Sequence, residues 1–467
     1  MSAVAADSAQ AAARSGAEPA RAVAPTADQA ALVPVINAGE RLLRFDWPAL
    51  RIGTGEYEEG PTGVTVFRFE PRANVAVDVR GGSPGTVNTD YIRQGYDFPV
   101  LDALVFAGGS AYGLEATTAV ASALKDDGLR GGAWDNIGFA AGAIIYDLGD
   151  RRLNEVYPDK RLAQAAYRAT RPGVFPLGAQ GAGRFAINGR LFGCNVYSGQ
   201  GGAFRRIGDL KIAAFVVVNA VGIVTNREGR VAACYRDPSW PSEVRTADLL
   251  ARFQLLRRGG WPDPAAEPRG NTTISVVVTN RKLTPAQLQR LAAQVHSSMS
   301  RAIQPFATEF DGDALFAVST NELAPAATPL EALDLNVLAS EVMWDAVLAS
   351  VPEQPAVPAA EGAAPGADEL RRYVGDYAFS PFVCLRIALD GSHLSAIAVG
   401  TRPVYAIGTS AATELKARGT NDFVVPGRYP LSLHFDGVGT VLVNPGHWQQ
   451  RGERRASCPR EAAQGAR

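Results

Sequence analysis

The sequence predicts an α/β domain followed by a small all-β domain. Short β-like runs and amphipathic helical patterns alternate over the first 350 residues. A proline- and alanine-rich stretch at 351–367 has the composition of a linker. From residue 368 to about 450 only short alternating runs occur, which predict strands at 383–388, 394–399, 405–407, 431–435 and 440–443. Such a pattern is typical of a small β-sandwich or barrel.

Length and charge narrow the possible functions. The 467 residues are enough for two or three domains, and 46 Lys and Arg against 47 Asp and Glu give a net charge of −1. This balance argues against a nucleic-acid-binding surface. No apolar run approaches the roughly 20 residues of a membrane span. The sequence therefore predicts neither a nucleic-acid nor a membrane partner.

The cysteines are scattered and show no CxxC spacing. They are Cys194, Cys234, Cys384 and Cys458. We therefore expect buried or incidental thiols rather than a disulfide framework or a metal site.

Both ends of the chain are predicted to be tails. Residues 1–40 form the predicted flexible tail, since its first 30 residues are rich in Ala, Ser, Pro, Asp and Glu without periodicity. Residues 451–467 are rich in Arg, Glu and Ala and are predicted to be disordered. The N-terminal tail has no apolar core of a secretory signal, which predicts a cytoplasmic protein. A periplasmic or secreted protein remains the alternative if an export segment is missing.

The first β-like runs are 64–69, 75–79 and 103–106, and the last leads into a glycine-rich turn at 108–114. A helical pattern to about Lys125 follows. The turn has two interpretations: its backbone N–H groups cradle an anion, or its glycines allow a strand and a helix to pack closely. Ser110 narrowly misses a nucleophile elbow, because Tyr112 occupies the position of the second glycine.

Two later strands end in polar side chains. Tyr146 lies near the end of the apolar run 143–149, and Asn219 follows the apolar run 212–218. Tyr146 is readily explained as a core tyrosine. Asn219 can donate an N–H to a developing oxyanion or cap a turn. The glycine-rich region 178–204 between them has no complete G-x-G-x-x-G, which argues against dinucleotide binding.

The candidate nucleophile lies where a glycine-containing turn, Arg269-Gly270-Asn271, enters a β-branched strand that begins Thr272-Thr273. If the Asn271–Thr272 bond is cut, Thr272 carries a hydroxyl and a free α-amine. Such an amine titrates near roughly 7.7–8.0 and can act as the base for its own hydroxyl. A threonine that merely opens a strand is the simpler interpretation of this spacing.

A well-signalled helix follows, with Thr284 as N-cap, Pro285 in the first turn and Gln287 completing a capping box. Asp311 and Asp313 flank a glycine at the entrance of the next strand. These carboxylates either hold and polarise Thr272 or form a plain acidic turn. An amphipathic helix at about 329–350 ends the domain.

Histidine is scarce in the first domain. His296 is the only histidine in the first 350 residues, and it falls in a helical pattern. A Ser-His-Asp triad or a multi-histidine metal site is therefore nearly excluded there. The sequence predicts no metal or organic cofactor.

Several motifs occur in the order of one family. They are the turn 108–114, Gly181-Ala182-Gly183, Asn219, Asn271-Thr272-Thr273-Ile274 and Phe310-Asp311-Gly312-Asp313. Over about residues 48–322 the chain resembles the L-aminopeptidase/D-esterase family, which includes the β-aminopeptidases and the nylon-oligomer endo-hydrolase. The Asn-Thr pair is most similar to the latter branch.

The resemblance implies an αββα sandwich of N-terminal-nucleophile-hydrolase type and an autoproteolytic amide hydrolase acting on peptides, β-peptides or ω-amino-acid oligomers. The hydrolase domain would span 41–350 and be cut into chains ending at Asn271 and beginning at Thr272. It also implies a homotetramer of the cleaved unit.

The same resemblance implies roles for individual residues. Thr272 corresponds to the nucleophile, Tyr146 and Asn219 to the oxyanion-side groups, and Asp311 and Asp313 to the acidic pair. Two further positions, Tyr112 and Arg190, are assigned to substrate binding. The lysine of the nylon-oligomer branch falls near Arg190, which keeps the charge but cannot easily act as a base.

Two alternatives stay open from sequence. One is an uncleaved, non-catalytic binding or scaffold protein of the same fold. The other is a serine hydrolase using Ser110, or Ser122 in a partial S-x-x-K motif whose companion motifs are absent.

Overall fold

The computed structural model describes residues 29–94, 99–149, 151–235, 243–251, 270–359, 362, 365–400, 402 and 404–458. Residues 1–28 and 459–467 of the predicted tails lie outside the described residues, as does Arg269. No helix within these described ranges has the length and apolar character needed to cross a bilayer.

The first 350 residues form seventeen described strands and five described α-helices. The strands are β1 (Val35–Ile36), β2 (Leu42–Arg44), β3 (Leu50–Tyr57), β4 (Thr62–Val79), β5 (Thr86–Val87), β6 (Val100–Ala107), β7 (Ala140–Ile144), β8 (Arg171–Pro172), β9 (Val174–Pro176), β10 (Ile187–Asn188), β11 (Val196–Tyr197), β12 (Gln200–Ile207), β13 (Leu210–Asn219), β14 (Ile223–Val224), β15 (Thr272–Arg281), β16 (Ile303–Gln304) and β17 (Ala314–Leu323). The helices are α1 (Thr89–Gln94), α2 (Glu115–Asp126), α3 (Lys160–Arg168), α4 (Pro285–Ser298) and α5 (Pro329–Ala349).

The main sheet runs in the order β12-β13-β15-β17-β4-β6-β7-β5 and bends at β4. The first part of β4 pairs with β3 and β6, and its last residues pair with β17. The two halves of the sheet face each other across an apolar core, where the ring centroids of Phe67 and Phe215 are 5.2 Å apart. The sheet therefore forms two stacked layers.

Helices cover the outer faces of both layers. The faces of β13, β15 and β17 that point away from the core pack against α4 and α5. On the other side, β3, β4 and β6 pack against α2 and α3. These four layers confirm the predicted αββα sandwich.

The sequence signals for α4 and α5 are confirmed. The Thr284 side chain accepts from the Gln287 amide while Gln287 binds the Thr284 amide, which completes the predicted capping box. The apolar side chains of α4, among them Leu288, Leu291 and Val295, are buried against the sheet. Thr328 caps α5, which ends at Ala349, one residue before the predicted boundary.

The C-terminal domain is a closed barrel. After the short helix α6 (Ala367–Leu370) its strands are β18 (Gly375–Ser380), β19 (Val383–Asp390), β20 (His393–Val399), β21 (Thr413–Ala417), β22 (Asp422–Val424), β23 (Ser432–Phe435), β24 (Thr440–Val443) and β25 (Gln450–Arg455). Alternate side chains fill its interior, among them Leu385, Ile387 and Phe435. Of the two predicted forms, sandwich or barrel, the barrel is the one observed.

Three predicted boundaries are wrong. Residues 29–40 are not a tail, because β1 pairs with β3 and the Gln29 side chain donates to the Tyr157 carbonyl at 2.8 Å. Residues 451–455 are not disordered, because β25 pairs with both β18 and β24 and so closes the barrel. The predicted strand at 405–407 is a turn, in which Ala406 has a φ of 61°.

The barrel packs directly on the first domain. Trp448 stacks on Tyr197 with ring centroids 4.1 Å apart. The Gln450 side chain accepts from the Leu153 amide at 2.6 Å and donates to the Arg151 carbonyl at 2.7 Å. In the predicted linker, Gln354 forms two hydrogen bonds with the Tyr197 backbone. The barrel therefore rests on the segments around 151–153 and 197.

The prediction of incidental thiols is wrong. Cys194 and Cys234 form one disulfide, and Cys384 and Cys458 form another. The partners are 40 and 74 residues apart in sequence, so no local spacing signals them, yet the fold brings their Cα atoms to 4.5 and 5.7 Å. The first disulfide lies in the first domain, and the second ties the chain after β25 to β19.

The two disulfides predict how many free thiols the protein has before and after reduction. Protein purified without reductant and then denatured should release no free thiol to a colorimetric reagent, and reduction should release four per chain. Four reactive thiols before reduction would contradict both disulfides.

Candidate active site

The ends of three adjacent strands converge at one edge of the sheet. Thr272 begins β15, and the register pairs it with Asn219 at the end of β13. Asn271 forms an isolated parallel bridge with Asp311, just before β17. Since β13 and β17 both flank β15, the fold brings together four residues that lie far apart in sequence.

Thr272 is almost fully buried, with 3% of its surface exposed. Its Oγ1 donates to the carbonyl oxygen of Asn271 at 2.5 Å, within the peptide unit predicted to be cut. The Gly312 N–H donates to the same carbonyl oxygen at 3.0 Å. A side chain on Gly312 would place its Cβ 2.9 Å from Thr272 Oγ1, so only glycine fits there. The carbonyl is thus polarised on one side while the hydroxyl lies beside it.

The acidic pair organises the loops around Thr272. Asp313 accepts from the Thr273 amide at 2.5 Å and from the Ala307 amide at 3.0 Å. Asp311 accepts from the Val221 amide at 3.2 Å and from both the amide and the hydroxyl of Thr308. The two carboxylates therefore tie separate segments to the strand start, which is more than a plain acidic turn does.

Burial disfavours the ionised form of both carboxyl groups, those of Asp311 and Asp313. Burial raises the pKa of Asp311. Burial, together with the charge of Asp311, raises the pKa of Asp313 well above its usual range. The pair therefore binds a proton more readily than two exposed carboxylates do.

Asn219 and Tyr146 also lie beside the Asn271–Thr272 peptide, Asn219 opposite Thr272 in the sheet and Tyr146 against Gly270. Asn219 accepts from the Ile187 amide at 3.1 Å and donates to the Tyr146 carbonyl at 2.8 Å. Its amide nitrogen carries a second N–H. The Tyr146 ring lies against Gly270, where an added Cβ would be 2.2 Å from the ring and the φ is +79°. Gly270 thus permits close approach of the tyrosine to the chain before Asn271.

A cavity opens beside these groups, with about 270 Å³ of space that includes open solvent. Its lining comprises Tyr146, Asp147, Leu148, Arg151, Phe185, Ile187, Arg190, Asn219, Gly270 and Asn271. We call it the catalytic cavity. Four predicted site residues line it: Tyr146, Arg190, Asn219 and Asn271.

One predicted site residue does not reach this cavity. Tyr112 is 61% exposed, and its ring packs against Tyr157 on the outside of the domain. The sequence position inside a glycine-rich motif gave no indication that the ring points outward. The structure therefore does not bring Tyr112 together with the other predicted site residues.

Asp147 was not identified from the sequence as a site residue. Its position within the apolar run 143–149, directly after Tyr146, is the signal that could have indicated it. Asp147 accepts from the Gly109 amide at 2.7 Å, from Thr62 Oγ1 at 2.7 Å and from Arg152 at 3.3 Å. The Gly109 amide is therefore already bound to a protein carboxylate. A Cβ on Gly113 would lie 1.9 Å from the Gly108 carbonyl oxygen, so the 108–114 glycines serve close packing rather than binding of an external anion.

The geometry does not support the serine alternatives. Ser122 Oγ donates to a carbonyl of its own helix and accepts from Gln164. His296 is fully buried on the inner face of α4, with Nδ1 2.9 Å from Asp78. Among the described residues, no histidine hydrogen-bonds to Ser110 or Ser122. Nor do they contain a group of three or more His, Cys, Asp or Glu side chains arranged to hold a metal ion.

Several known proteins are similar to this chain. Residues 45–363 match the model of peptidase family S58. The 6-aminohexanoate-oligomer endohydrolase of Paenarthrobacter ureafaciens is 42% identical over 333 residues, which cover 69% of this chain and 90% of that protein. An uncharacterized aminopeptidase of Mycobacterium leprae is 35% identical over 285 residues, covering 57% of this chain and 73% of that protein.

Among solved structures, a Burkholderia sp. β-aminopeptidase aligns with a TM-score of 0.48 at 19% identity, covering 69% of this chain and 90% of that chain. The barrel strands, which begin at residue 375, lie beyond the residues matched by the family model.

The raised pKa values predict how stability depends on pH. Carboxyl groups with raised folded-state pKa values stabilise the fold when protonated, and this contribution is lost as pH rises above their unfolded pKa of about 4. Asp311→Asn removes one buried charge and lowers the pKa of Asp313. The destabilisation that it causes should therefore be largest near pH 4 and should shrink toward pH 8.

Urea unfolding of Thr272→Ala and of Thr272→Ala with Asp311→Asn, at several pH values, measures this difference in one background that lacks the Thr272 hydroxyl. A destabilisation that grows with pH would contradict the raised pKa values.

Proposed function

This chain belongs to peptidase family S58 and is an amide-bond hydrolase, and on that premise we propose that Thr272 is its nucleophile, freed when the chain cuts its own Asn271–Thr272 bond. One observation carries the proposal: the hydroxyl of Thr272 and the Gly312 N–H both meet the carbonyl oxygen of Asn271. A nucleophile and an oxyanion donor thus lie at the same peptide.

Maturation follows from this geometry. Thr272 Oγ1 attacks the carbonyl carbon of Asn271, and the Gly312 N–H stabilises the negative charge that develops on the carbonyl oxygen. The C–N bond then breaks, which leaves an ester and a free Thr272 amine. Water hydrolyses the ester, which restores the hydroxyl and leaves a carboxylate on Asn271.

In turnover the new amine acts as the base. It takes the proton of Oγ1 as the hydroxyl attacks the substrate carbonyl, and it gives a proton to the departing amine. The second N–H of Asn219 and the hydroxyl of Tyr146 are the proposed oxyanion donors, each worth roughly 10²–10³ in rate. Water then releases the acyl group from Thr272.

Asp311 and Asp313 act as positioning residues. Their carboxylates bind backbone amides on both sides of the nucleophile rather than its hydroxyl. They keep the start of β15 in place once the chain before it has been cut. Negative charge on the pair also stabilises the ammonium that forms when the new N-terminal amine takes the Oγ1 proton.

The proposed substrate is a short oligoamide: a peptide, a β-peptide or an oligomer of an ω-amino acid. The relative named above acts on 6-aminohexanoate oligomers by its name, and the catalytic centre proposed here needs only an accessible amide carbonyl. Phe185, Ile187 and Leu148 give the cavity apolar walls, which suits an aliphatic segment between amide groups.

The cleaved unit is proposed to assemble into a homotetramer. Leu330, Leu333 and Val337 form an exposed apolar stripe on α5, at helical spacing, and such a stripe supports contact with another copy. The two disulfides favour an oxidising compartment, the periplasm or the outside of the cell, over the cytoplasm.

Substitution of the nucleophile tests the proposal. Thr272→Ala should leave one full-length chain and lower amide hydrolysis by on the order of 10³-fold or more. Thr272→Ser, which keeps a hydroxyl at the same position, is the matched control and should still be cut. Denaturing electrophoresis with N-terminal sequencing should find a fragment beginning Thr-Thr-Ile-Ser-Val in the wild type. Cutting of Thr272→Ala at the same bond would show that this hydroxyl does not drive maturation.

A further inference from the structure

Arg151 lies between two cavities. It lines the catalytic cavity and also a second cavity, with about 410 Å³ of empty space, where the barrel meets the first domain. The second cavity, which we call the barrel cavity, has mostly apolar walls that include Leu385, Val404 and Val443. Arg151 is the one residue that appears in the described lining of both.

Both domains hold this arginine in place. Its Nη2 donates to the Tyr405 hydroxyl at 2.8 Å and to the carbonyl of Asn195. The guanidinium carbon lies 4.3 Å from the ring centroid of Tyr405 and 5.2 Å from that of Tyr197. Its own carbonyl accepts from Gln450 at 2.7 Å. Tyr405 and Gln450 belong to the C-terminal domain, so this domain contacts both the guanidinium and the main chain of Arg151.

Basic residues contribute to the lining of the catalytic cavity. Among the described residues, Arg151 and Arg190 line it together with one acidic residue, Asp147. The Asp147 carboxylate already accepts from Gly109, Thr62 and Arg152. A substrate that carries a carboxylate matches this charge, and the planar fork of arginine suits a carboxylate geometrically.

We propose that Arg151 is a specificity-determining residue that binds the terminal carboxylate of a short amide substrate, and that the barrel holds it in position to do so. This inference rests on the proposed function and goes beyond it. It identifies the favoured substrate as an oligomer with a free carboxylate close to the cleaved amide. It also gives the barrel a role in the chemistry of the first domain.

The test compares two forms of one substrate. The dimer of 6-aminohexanoate is prepared with a free carboxylate and as the terminal carboxamide. Wild-type protein should prefer the carboxylate by about 10- to 100-fold in kcat/KM, mainly through KM, because a charged hydrogen bond is lost in the amide. Arg151→Gln should remove the preference. Equal kcat/KM values for the two forms in the wild type would overturn the proposal.

A milder pair of variants tests the role of the barrel. Tyr405→Phe removes the hydroxyl that binds Arg151 but keeps the ring, and it should reduce the preference by about 2- to 10-fold. Tyr377→Phe is the matched control, since it removes another hydroxyl of the C-terminal domain, one that donates to the Tyr373 carbonyl at 2.9 Å. If Arg151→Gln does not fold, the comparison of Tyr405→Phe with this control variant tests the proposal without it. The same preference in both tyrosine variants would overturn the role of the barrel.

Calorimetry separates this inference from the proposed function. Thr272→Ala protein should bind the carboxylate dimer more tightly than the carboxamide dimer, with the difference lost in Thr272→Ala with Arg151→Gln. If the wild type neither cuts itself nor hydrolyses either dimer, the proposed function is wrong, and this binding difference still supports the carboxylate site. Equal binding of the two dimers would contradict the proposed carboxylate site at Arg151, whether or not the wild-type protein is active.

Discussion

Two hydrogen bonds converge on the carbonyl oxygen of Asn271, one from Thr272 Oγ1 and one from the Gly312 amide, and the rest of the site is arranged around them. They exist because β15 lies between β13 and β17, so the loop before β17 passes beside the start of β15. Asp313 holds that loop to the Thr273 amide. The αββα sandwich thus supplies rigid strand ends, and the chemistry uses groups on the short segments that extend from them.

The barrel changes what such a site can recognise. The residues matched by the family model include the predicted nucleophile and the acidic pair, whereas the barrel strands lie beyond them. The barrel contacts the first domain through Tyr405, Trp448 and Gln450, at segments that form or adjoin one wall of the catalytic cavity. An added domain can therefore alter substrate choice by fixing one arginine, without moving the nucleophile.

Local patterns made part of this structure predictable. The capping box at Thr284 and the β-branched run after Thr272 are signals within a few residues, and both elements are observed. The ordered motifs of the family placed Asn219 and Asp311 near Thr272. Long-range pairings were not predictable: the disulfide partners are 40 and 74 residues apart, and Arg151 meets a tyrosine 254 residues away. The closing strand of the barrel was missed because its alternate residues are charged and exposed.

The most direct measurement of the central claim is to trap the acyl-enzyme. The purified protein is treated with an activated ester, quenched at low pH and digested, and the acylated residue is located by mass spectrometry. We expect the acyl group on Thr272, at the N-terminus of a separate chain, because only there do hydroxyl and base lie on one residue. An acyl group on Ser110 or Ser122, or on Thr272 within an unbroken polypeptide, would contradict the mechanism.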